Sequence, residues 1–291
     1  MEYAKVNGLN REVSRIGLGT WSIGGFNWGG TDEQEALKTI RAALEHGVSL
    51  IDTAPVYGLG RAEELVGRAL AKYGKREEVI IATKVGLEWR GDQVFRNSTK
   101  ARIMKEIDDS LRRLQTDYID IYQVHWPDPL VPIEETAAAM HELYKQGKIR
   151  ALGVSSYSPE QIKVFRRLAP VHTAQPPYKS DPKFQPPRYA QYLKAVERLD
   201  RLAQENYGKR VLELAIRWTL DQPFVTVALW GARHPAQLAP IAGVIGWKLD
   251  AAALIAINKI VRESVTDPVG PEFMAPPPRS STADQFMPLS A

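Results

Sequence analysis

Four polar side chains suited to acid–base chemistry lie at or just after the ends of predicted strands. They are Asp52, Tyr57, Lys84 and His125. In a parallel barrel the carboxyl ends of the strands form one face, and active sites are built on that face. The long sequence separations between these residues therefore do not prevent the four side chains from converging in one site.

The chemistry that these residue types suggest is proton transfer to a carbonyl oxygen. A tyrosine hydroxyl, with an ordinary pKa of about 10, is a poor proton donor near neutrality, and an adjacent ammonium group lowers that pKa toward the working range. Lys84 could supply the ammonium group for Tyr57, and Asp52 would hold Lys84 in an ion pair. A neutral His125 imidazole could donate a hydrogen bond that orients the carbonyl group.

Each of these residues also has a purely structural interpretation. Asp52 could be a turn former or a helix cap, Lys84 a solvated lysine at the rim of a barrel, and His125 a core histidine satisfied by backbone groups. A tyrosine such as Tyr57 is on its own an even weaker indication of function. Only the set of four favours a catalytic site.

Composition narrows the classes of function. The chain has 291 residues and a formal net charge of +4, with basic residues scattered and without cysteine. This pattern excludes a basic nucleic-acid stripe, and the missing cysteines exclude disulfides, thiolate catalysis and iron–sulfur clusters. Because no segment reaches the roughly 18 apolar residues of a membrane span and the N-terminus lacks a signal-peptide core, we expect a cytoplasmic protein without a membrane partner. Three histidines form no cluster at ligand spacing, so no metal site is predicted; they are His46, His141 and His172.

Short apolar runs alternate with amphipathic helices along the chain. The pattern predicts seven parallel strands, at Arg15–Thr20, Val48–Asp52, Val79–Thr83, Tyr118–Val124, Ile149–Val154, Val171–Gln175 and Phe224–Leu229. Such a repeat builds either an open doubly wound sheet or a closed (β/α)8 barrel, and periodicity does not separate the two. Gly58 and Gly60 superficially begin a dinucleotide-binding fingerprint, but Glu63 occupies the place of its third glycine, which excludes that interpretation.

Capping signals mark several helices between the strands. Thr31 and Gln34 form a predicted capping box, and Gly47 closes the same helix. Pro132 opens another helix, which ends near Gly147. Two further helices are expected over Pro235–Val244 and Asp250–Val261.

The region after Gln175 interrupts the alternation. It contains several prolines and then two helical stretches, with no strand predicted before Phe224. A barrel of eight strands would therefore be one strand short. The tail 267–291 is rich in proline and serine, so we expect an irregular segment over the barrel surface, and 1–291 is interpreted as a single domain.

Several long motifs resemble those of aldo-keto reductases. They are GLGTW at Gly17–Trp21, IDTAPVYG at Ile51–Gly58, ATK at Ala82–Lys84, DYIDIYQVHWPD at Asp117–Asp128, GKIRALGVSSYS at Gly147–Ser158, QPPY at Gln175–Tyr178, ALWGARHPAQL at Ala228–Leu238 and DPVGPEFMAPP at Asp267–Pro277. Their order and extent make the resemblance highly specific, and the chain is most similar to the bacterial general-stress-protein type of NADP-dependent aldo-keto reductases. The resemblance implies a single α/β domain with the (β/α)8 TIM barrel fold.

The resemblance also implies a reaction. Tyr57 matches the family's proton donor, Lys84 and Asp52 the pair that tunes it, and His125 the orienting imidazole. Hydride would pass between nicotinamide C4 and the carbonyl carbon of an aldehyde, a ketone or a sugar-type substrate, while Tyr57 protonates the oxygen. The reverse direction would oxidise an alcohol.

Cofactor and substrate positions follow from the same resemblance. The matching cofactor-binding residues are Gly19, Thr20, Trp21, Asp52, Ser155, Gln175, Gly231, Ala232, Arg233, His234 and Gln237. Because a guanidinium suits a phosphate dianion, Arg233 at the position for the adenosine 2′-phosphate favours NADPH over NADH. His234 stands where close relatives usually carry Lys. Trp21 and Trp126 are the expected walls of the substrate pocket.

The departure after Tyr178 is larger. There the family would continue with a helix, a seventh strand and a glycine-rich cofactor loop before rejoining near Ser180–Phe184. Losing a barrel strand leaves unpaired edges on both neighbours, so the folding argument favours a sequence that omits a stretch of the natural chain over a genuine deletion. With a genuine deletion, the catalytic residues would remain while cofactor binding fails. An NADPH-binding regulatory barrel with little turnover is the alternative to an enzyme.

Overall fold

Eleven strands are found in the part of the chain that the computed structural model describes, which is residues 1–26, 28–175, 183, 185–270 and 275–279. The strands are β1 (Tyr3–Lys5), β2 (Glu12–Ser14), β3 (Ile16–Gly19), β4 (Leu50–Asp52), β5 (Ile80–Val85), β6 (Leu87–Arg90), β7 (Gln93–Arg96), β8 (Ile119–Val124), β9 (Ile149–Ser155), β10 (Thr173–Gln175) and β11 (Ala228–Gly231). The helices are α1 (Glu33–Glu45), α2 (Arg61–Tyr73), α3 (Lys100–Leu114), α4 (Ile133–Lys145), α5 (Pro159–Arg166), α6 (Arg188–Tyr207), α7 (Val211–Asp221), α8 (Ile241–Val244) and α9 (Ala251–Ser264).

The central sheet contains seven strands in the order β10-β9-β8-β5-β4-β3-β11, and every neighbouring pair is parallel. Its members are the seven strands that the apolar runs predict, which confirms those predictions. The runs are nearly continuous in Ile, Val and Leu because a parallel sheet is covered on both faces.

The buried side chains of the central sheet belong to two clusters, one on each face of the sheet. Ile51 and Ile81 belong to the large cluster between the sheet and the helices, whereas Leu50 and Ile80 belong to a smaller cluster on the opposite face. The antiparallel hairpin of β1 and β2 contributes Val13 to that smaller cluster. Since side chains alternate along a strand, Asp52 and Lys84 lie on the same face as Leu50 and Ile80.

The strands β10 and β11 are the two outer strands of this sheet. They flank the region in which a barrel strand is expected to be absent. Between them, residues 185–227 form α6, α7 and loops without a strand, so the expected shortage of one strand is confirmed for the described residues. The motif residues Pro176–Tyr178 and most of Ser180–Phe184 lie outside the described part.

The start of α1 differs from the prediction. Asp32, not Thr31, is the N-cap, and its side chain accepts a hydrogen bond from the Glu35 backbone N–H at 3.0 Å. The Thr31 hydroxyl instead donates to the backbone oxygen of Ile23 at 2.9 Å. The predicted capping box of Thr31 and Gln34 is therefore wrong, because the helix begins one residue later than expected, with Asp32 in the extended conformation of an N-cap. Gly47 closes the helix as predicted, with a φ of 81°.

The last predicted strand and the helix after it also need correction. The strand begins at Ala228, not at Phe224, whose side chain is fully exposed. The segment Pro235–Val244 is not one helix but a 3-10 turn, Pro235–Leu238, followed by α8, because Pro240 lacks the N–H that a continuous helix needs. The helix predicted over Asp250–Val261 is confirmed as α9: Asp250 is its N-cap, and it continues three residues beyond Val261 to Ser264.

The described tail residues lie at the surface of the molecule, exposed or half-buried. Apart from an isolated bridge between Arg96 and Pro278, residues 267–270 and 275–279 form no regular element. The Arg96 N–H donates to the oxygen of Pro277 at 2.9 Å, and Arg279 lies 3.4 Å from the buried Asp128 carboxylate. The segment 275–279 is thereby held against the β6–β7 hairpin. Within the described ranges, every helix is too short or too polar to cross a membrane.

Candidate active site

Asp52 and Lys84 form a buried ion pair at the carboxyl ends of two adjacent strands. The Lys84 Nζ lies 2.7 Å from Asp52 Oδ1 and donates a second hydrogen bond to the Thr53 backbone oxygen at 3.0 Å. Both charged side chains are almost completely shielded, with exposed fractions of 1% for Lys84 and 5% for Asp52. The pair stands on the sheet face predicted from the strand alternation.

The loop between β4 and α2 brings Tyr57 to the same ammonium group. The Lys84 Nζ donates to the Tyr57 hydroxyl oxygen at 3.2 Å and lies 4.9 Å from the centroid of the ring. The loop turns at Gly58, which has a φ of 64° and lies so close to Gly24 that a Cβ would meet the Gly24 oxygen at 2.1 Å. Only glycine can occupy this position without moving Tyr57.

The charge on Lys84 is maintained by its neighbours. Burial is the largest influence and lowers the Lys84 pKa, but the Asp52 carboxylate and the hydrogen bonds to Asp52 and Tyr57 outweigh it and leave that pKa raised. The lysine is therefore a cation at neutral pH, next to the hydroxyl that would gain a negative charge on losing its proton.

His125 completes the set. It follows β8, and its ring lies edge-on to the Tyr57 ring, with centroids 5.9 Å apart. Burial, and secondarily the positive charge of Lys84, lower the pKa of His125 well below its usual value. The imidazole is consequently neutral at neutral pH, and in this form it still has one ring N–H that can donate a hydrogen bond to a carbonyl oxygen. The structure thus brings together all four residues that the sequence analysis singles out.

A cleft of about 300 Å³ opens beside this cluster. Its described lining is Gly19, Thr20, Trp21, Ser22, Trp28, Asp52, Tyr57, Leu229, Gly231, Ala232, Arg233 and Gln237. Trp21 packs edge-on against Trp28 with ring centroids 5.6 Å apart, and it lies 6.3 Å from the Tyr57 ring. Ser22, Trp28 and Leu229 are lining residues that the sequence analysis did not predict. The position of Trp28 in a glycine-rich loop after β3 was the available signal.

Most of the predicted cofactor positions line this cleft or the cavity that adjoins it. His234 lies in an adjoining cavity of about 270 Å³, which shares Ser22, Arg233 and Gln237 with the cleft. Ser155 ends β9, where its hydroxyl is 3.3 Å from that of Ser156. Gln175 ends β10, and its side chain lies outside the described part of the structure.

Trp126 does not lie among the described residues of the cleft lining. It is 8% exposed and packs with Leu87, Val94 and Ala275 beside the β6–β7 hairpin. Its expected role as a wall of the substrate pocket stays a prediction.

Two features of the cleft suit a nicotinamide dinucleotide, an open stretch of backbone at Gly231 and a guanidinium at Arg233. At Gly231 no atom lies within 4 Å of the place where a Cβ would stand, so the backbone there is open to a ligand. Where the cleft meets the adjoining cavity, the backbone N–H of Arg233 donates to Gln237 Oε1 at 2.7 Å. The guanidinium of Arg233 donates to the backbone oxygen of Gly30 at 2.8 Å. Asp32 and Glu35 line the same distal cavity, which therefore carries carboxylates as well as a guanidinium.

Comparison with known proteins agrees with this geometry. The family model described as the aldo/keto reductase family matches residues 15–180 and 168–262, in two segments that overlap over residues 168–180. An aldo-keto reductase of Bacillus subtilis is 50% identical over 328 residues, which cover 96% of this chain and 99% of the relative. That span is longer than the 291 residues of this chain, so it includes residues of the relative with no counterpart here.

Two further relatives bear on fold and cofactor. An NADH-specific methylglyoxal reductase of Escherichia coli is 41% identical over 181 residues, covering 57% of this chain and 55% of the relative. The solved structure of a glycerol dehydrogenase from Gluconobacter oxydans superposes with a TM-score of 0.83 at 41% identity, covering 94% of this chain and 99% of that one. The fold is thus of the (β/α)8 barrel type, although the described strands do not close a ring. Together these matches show that the chain belongs to the aldo/keto reductase family, a family of oxidoreductases that use nicotinamide cofactors.

Proposed function

We propose that this protein is an NADPH-dependent reductase of aldehydes, ketones or sugar-type carbonyls, with Tyr57 as its general acid and base. The observation that carries the proposal is the row of hydrogen bonds from Asp52 through Lys84 to the Tyr57 hydroxyl, at 2.7 and 3.2 Å. A tyrosine next to a buried ammonium group can release its proton at a pH where a solvated tyrosine does not.

Each of the four clustered residues has a separate role in the transfer of the proton. Tyr57 gives its hydroxyl proton to the carbonyl oxygen of the substrate, and the Lys84 ammonium stabilises the phenolate that remains. Asp52 keeps Lys84 charged, and the neutral His125 ring donates a hydrogen bond to the same carbonyl oxygen. Trp21 and Trp28 supply an apolar wall that excludes water from this oxygen. In the direction of alcohol oxidation, the Tyr57 phenolate takes the proton back.

The cofactor would be held by two segments that line the cleft. One begins at Gly19, at the end of β3, and the other runs from the end of β11 to Gln237. When bound, the nicotinamide supplies or accepts the hydride at its C4 atom. Gly19, Thr20 and Trp21 would face the nicotinamide end of the cleft, whereas Gly231 begins the loop that would face the adenosine phosphate. Arg233 would face the adenosine phosphate, and this guanidinium supports the choice of NADPH.

A Tyr57→Phe variant tests the proposal. It removes the proton donor and keeps the ring, so we expect kcat to fall by about 10²- to 10⁴-fold. Quenching of tryptophan fluorescence by NADPH would remain, since the ring stays in place. Undiminished turnover in this variant would refute the assignment of Tyr57. Tight NADPH binding by the unmodified chain, with no turnover of any compound in a broad carbonyl panel, would favour the regulatory alternative instead.

A further inference from the structure

A fully buried carboxylate stands behind the candidate active site, on the helix side of the sheet. Glu63, in the first turn of α2, has an exposed fraction of 0%. Its Oε1 accepts the hydroxyl hydrogen of Thr83 at 2.6 Å, and its Oε2 accepts from Arg113 Nε at 2.6 Å. The proton-transfer scheme above does not use any of these groups. Because a buried charge needs firm partners, the carboxylate is fixed in direction by the two contacts.

The first contact of Glu63 leads to Lys84. Thr83 directly precedes Lys84 in β5, and successive side chains of a strand point to opposite faces. The Thr83 hydroxyl therefore meets α2 on the outside of the sheet, whereas the Lys84 ammonium meets Tyr57 on the inside. Anchoring Thr83 to Glu63 fixes the part of β5 from which the Lys84 side chain projects.

The helix that carries Glu63 leads to Tyr57. The Ala62 backbone N–H, one residue before Glu63, donates to the backbone oxygen of Tyr57 at 3.1 Å. The same helix is held tightly against α3, since a Cβ at Gly67 would lie 2.4 Å from the backbone oxygen of Arg113. The start of α2 and the turn that presents Tyr57 are thus one rigid unit.

These contacts form a closed ring. It runs from the Tyr57 hydroxyl to Lys84, by one peptide unit to Thr83, through its hydroxyl to Glu63, by one peptide unit to Ala62, and back to the Tyr57 backbone. We propose that Glu63, acting through Thr83, is a positioning residue that sets the 3.2 Å contact between Tyr57 and Lys84. This inference rests on the proposed function, in which that contact matters for catalysis.

The test compares substitutions at Thr83 with a matched control. Thr83→Val keeps the shape and removes the hydroxyl, and Thr83→Ser restores the hydroxyl. Glu63→Gln keeps an acceptor for Thr83 but removes one of the two carboxylates that pair with Arg113, the other being Glu106. The control is Thr39→Val, which deletes another fully buried hydroxyl, one that donates to the Glu35 backbone oxygen within α1. Thermal unfolding of each variant tests whether the variant is folded.

We expect Thr83→Val and Glu63→Gln to lower kcat by about 10- to 100-fold with KM for the carbonyl substrate unchanged, because a small misplacement of a catalytic group costs rate before it costs affinity. Thr83→Ser and Thr39→Val should keep the kcat of the unmodified chain. The alkaline limb of the pH–rate profile for reduction should move to higher pH in Thr83→Val, since a more distant ammonium group stabilises the phenolate less.

A second measurement does not depend on turnover. Phenolate absorbance is titrated in each variant with Tyr57 present and with Tyr57→Phe, and the difference reports the ionisation of Tyr57 alone. Thr83→Val should move that difference titration to higher pH, and Thr83→Ser should not. An unchanged titration in Thr83→Val, or an equal loss of kcat in Thr83→Val and Thr39→Val, would overturn the positioning role. Full turnover in Tyr57→Phe would instead overturn the proposed function, and the absorbance titration would still decide the role of Glu63.

Discussion

The Lys84 ammonium group lies 2.7 Å from a carboxylate oxygen of Asp52, and both side chains are almost fully shielded from solvent. Such a pair is costly to bury and costly to break, because removing one partner leaves an uncompensated charge in the interior. Stability and catalysis therefore depend on the same two residues.

We expect Asp52→Asn to destabilise the fold by about 3–5 kcal/mol, because Lys84 would keep its burial and lose its counter-charge. Urea unfolding measures this free energy. Glu45→Gln is the matched control, since it breaks an ion pair of similar length with Arg41 in which both side chains are more than half exposed. That control should change the free energy of unfolding by at most about 1 kcal/mol. Equal effects of the two substitutions would contradict the prediction.

His125 should make the fold sensitive to mild acid. Because its pKa in the folded state is well below the usual value of 6.5, the unfolded chain binds an additional proton at pH values between the two. The contribution of His125 to stability is complete above about pH 6.5 and is lost as the pH falls toward the folded-state pKa, at up to about 1.4 kcal/mol per pH unit. His125→Gln should reduce the slope of unfolding free energy against pH in this window. Identical slopes would show that His125 is not held neutral by the fold.

Arg233 should discriminate between the two nicotinamide cofactors. Arg233→Ala removes the guanidinium expected to face the adenosine 2′-phosphate, so kcat/KM for NADPH should fall by about tenfold or more and that for NADH should stay nearly constant. Steady-state rates with each cofactor measure the ratio. An equal fall for both cofactors would show that Arg233 supports the cleft in general, for example through its bond to Gly30, and does not recognise the phosphate.

The intact mass of the protein purified from its natural source should exceed the 32.6 kDa calculated for this sequence. A βα unit of a barrel contains about 31 residues, so a natural chain that includes the expected seventh strand would be heavier by several kilodaltons. A measured mass of 32.6 kDa would make the deletion real. In that case we expect no quenching of tryptophan fluorescence by NADPH, despite the intact contacts of Tyr57 and Lys84.

The apolar runs are sufficient to predict the seven strands of the central sheet but not the hairpins β1–β2 and β6–β7, and the polar residues at the strand ends give the four catalytic candidates. Buried parallel strands appear in a sequence as short apolar runs. A polar residue at or directly after the end of such a run, as at Asp52 and Lys84, must lie near the carboxyl end of the strand, where barrel active sites are built. The choice between Thr31 and Asp32 as the N-cap was not predictable, because both are capping residue types and the sequence does not show which of them has the extended backbone that a cap needs.

The role of Glu63 could not be predicted from the sequence either, for a different reason. From the sequence, Glu63 serves only to exclude a dinucleotide fingerprint, and its two partners are 20 and 50 residues away along the chain. A buried glutamate cannot be distinguished from an exposed one until the helix that carries it is docked. Contacts such as those with Thr83 and Arg113 follow from tertiary packing and leave no local pattern.

The outer strands β10 and β11 have a consequence for handling the protein. In the described structure each presents a row of backbone groups that no neighbouring strand satisfies, and such rows are templates for pairing with other polypeptides. A chain of this sequence should therefore lose monomer as its concentration rises, by edge-to-edge association that starts from these two strands. Such association would limit the concentration at which this polypeptide can be produced and stored.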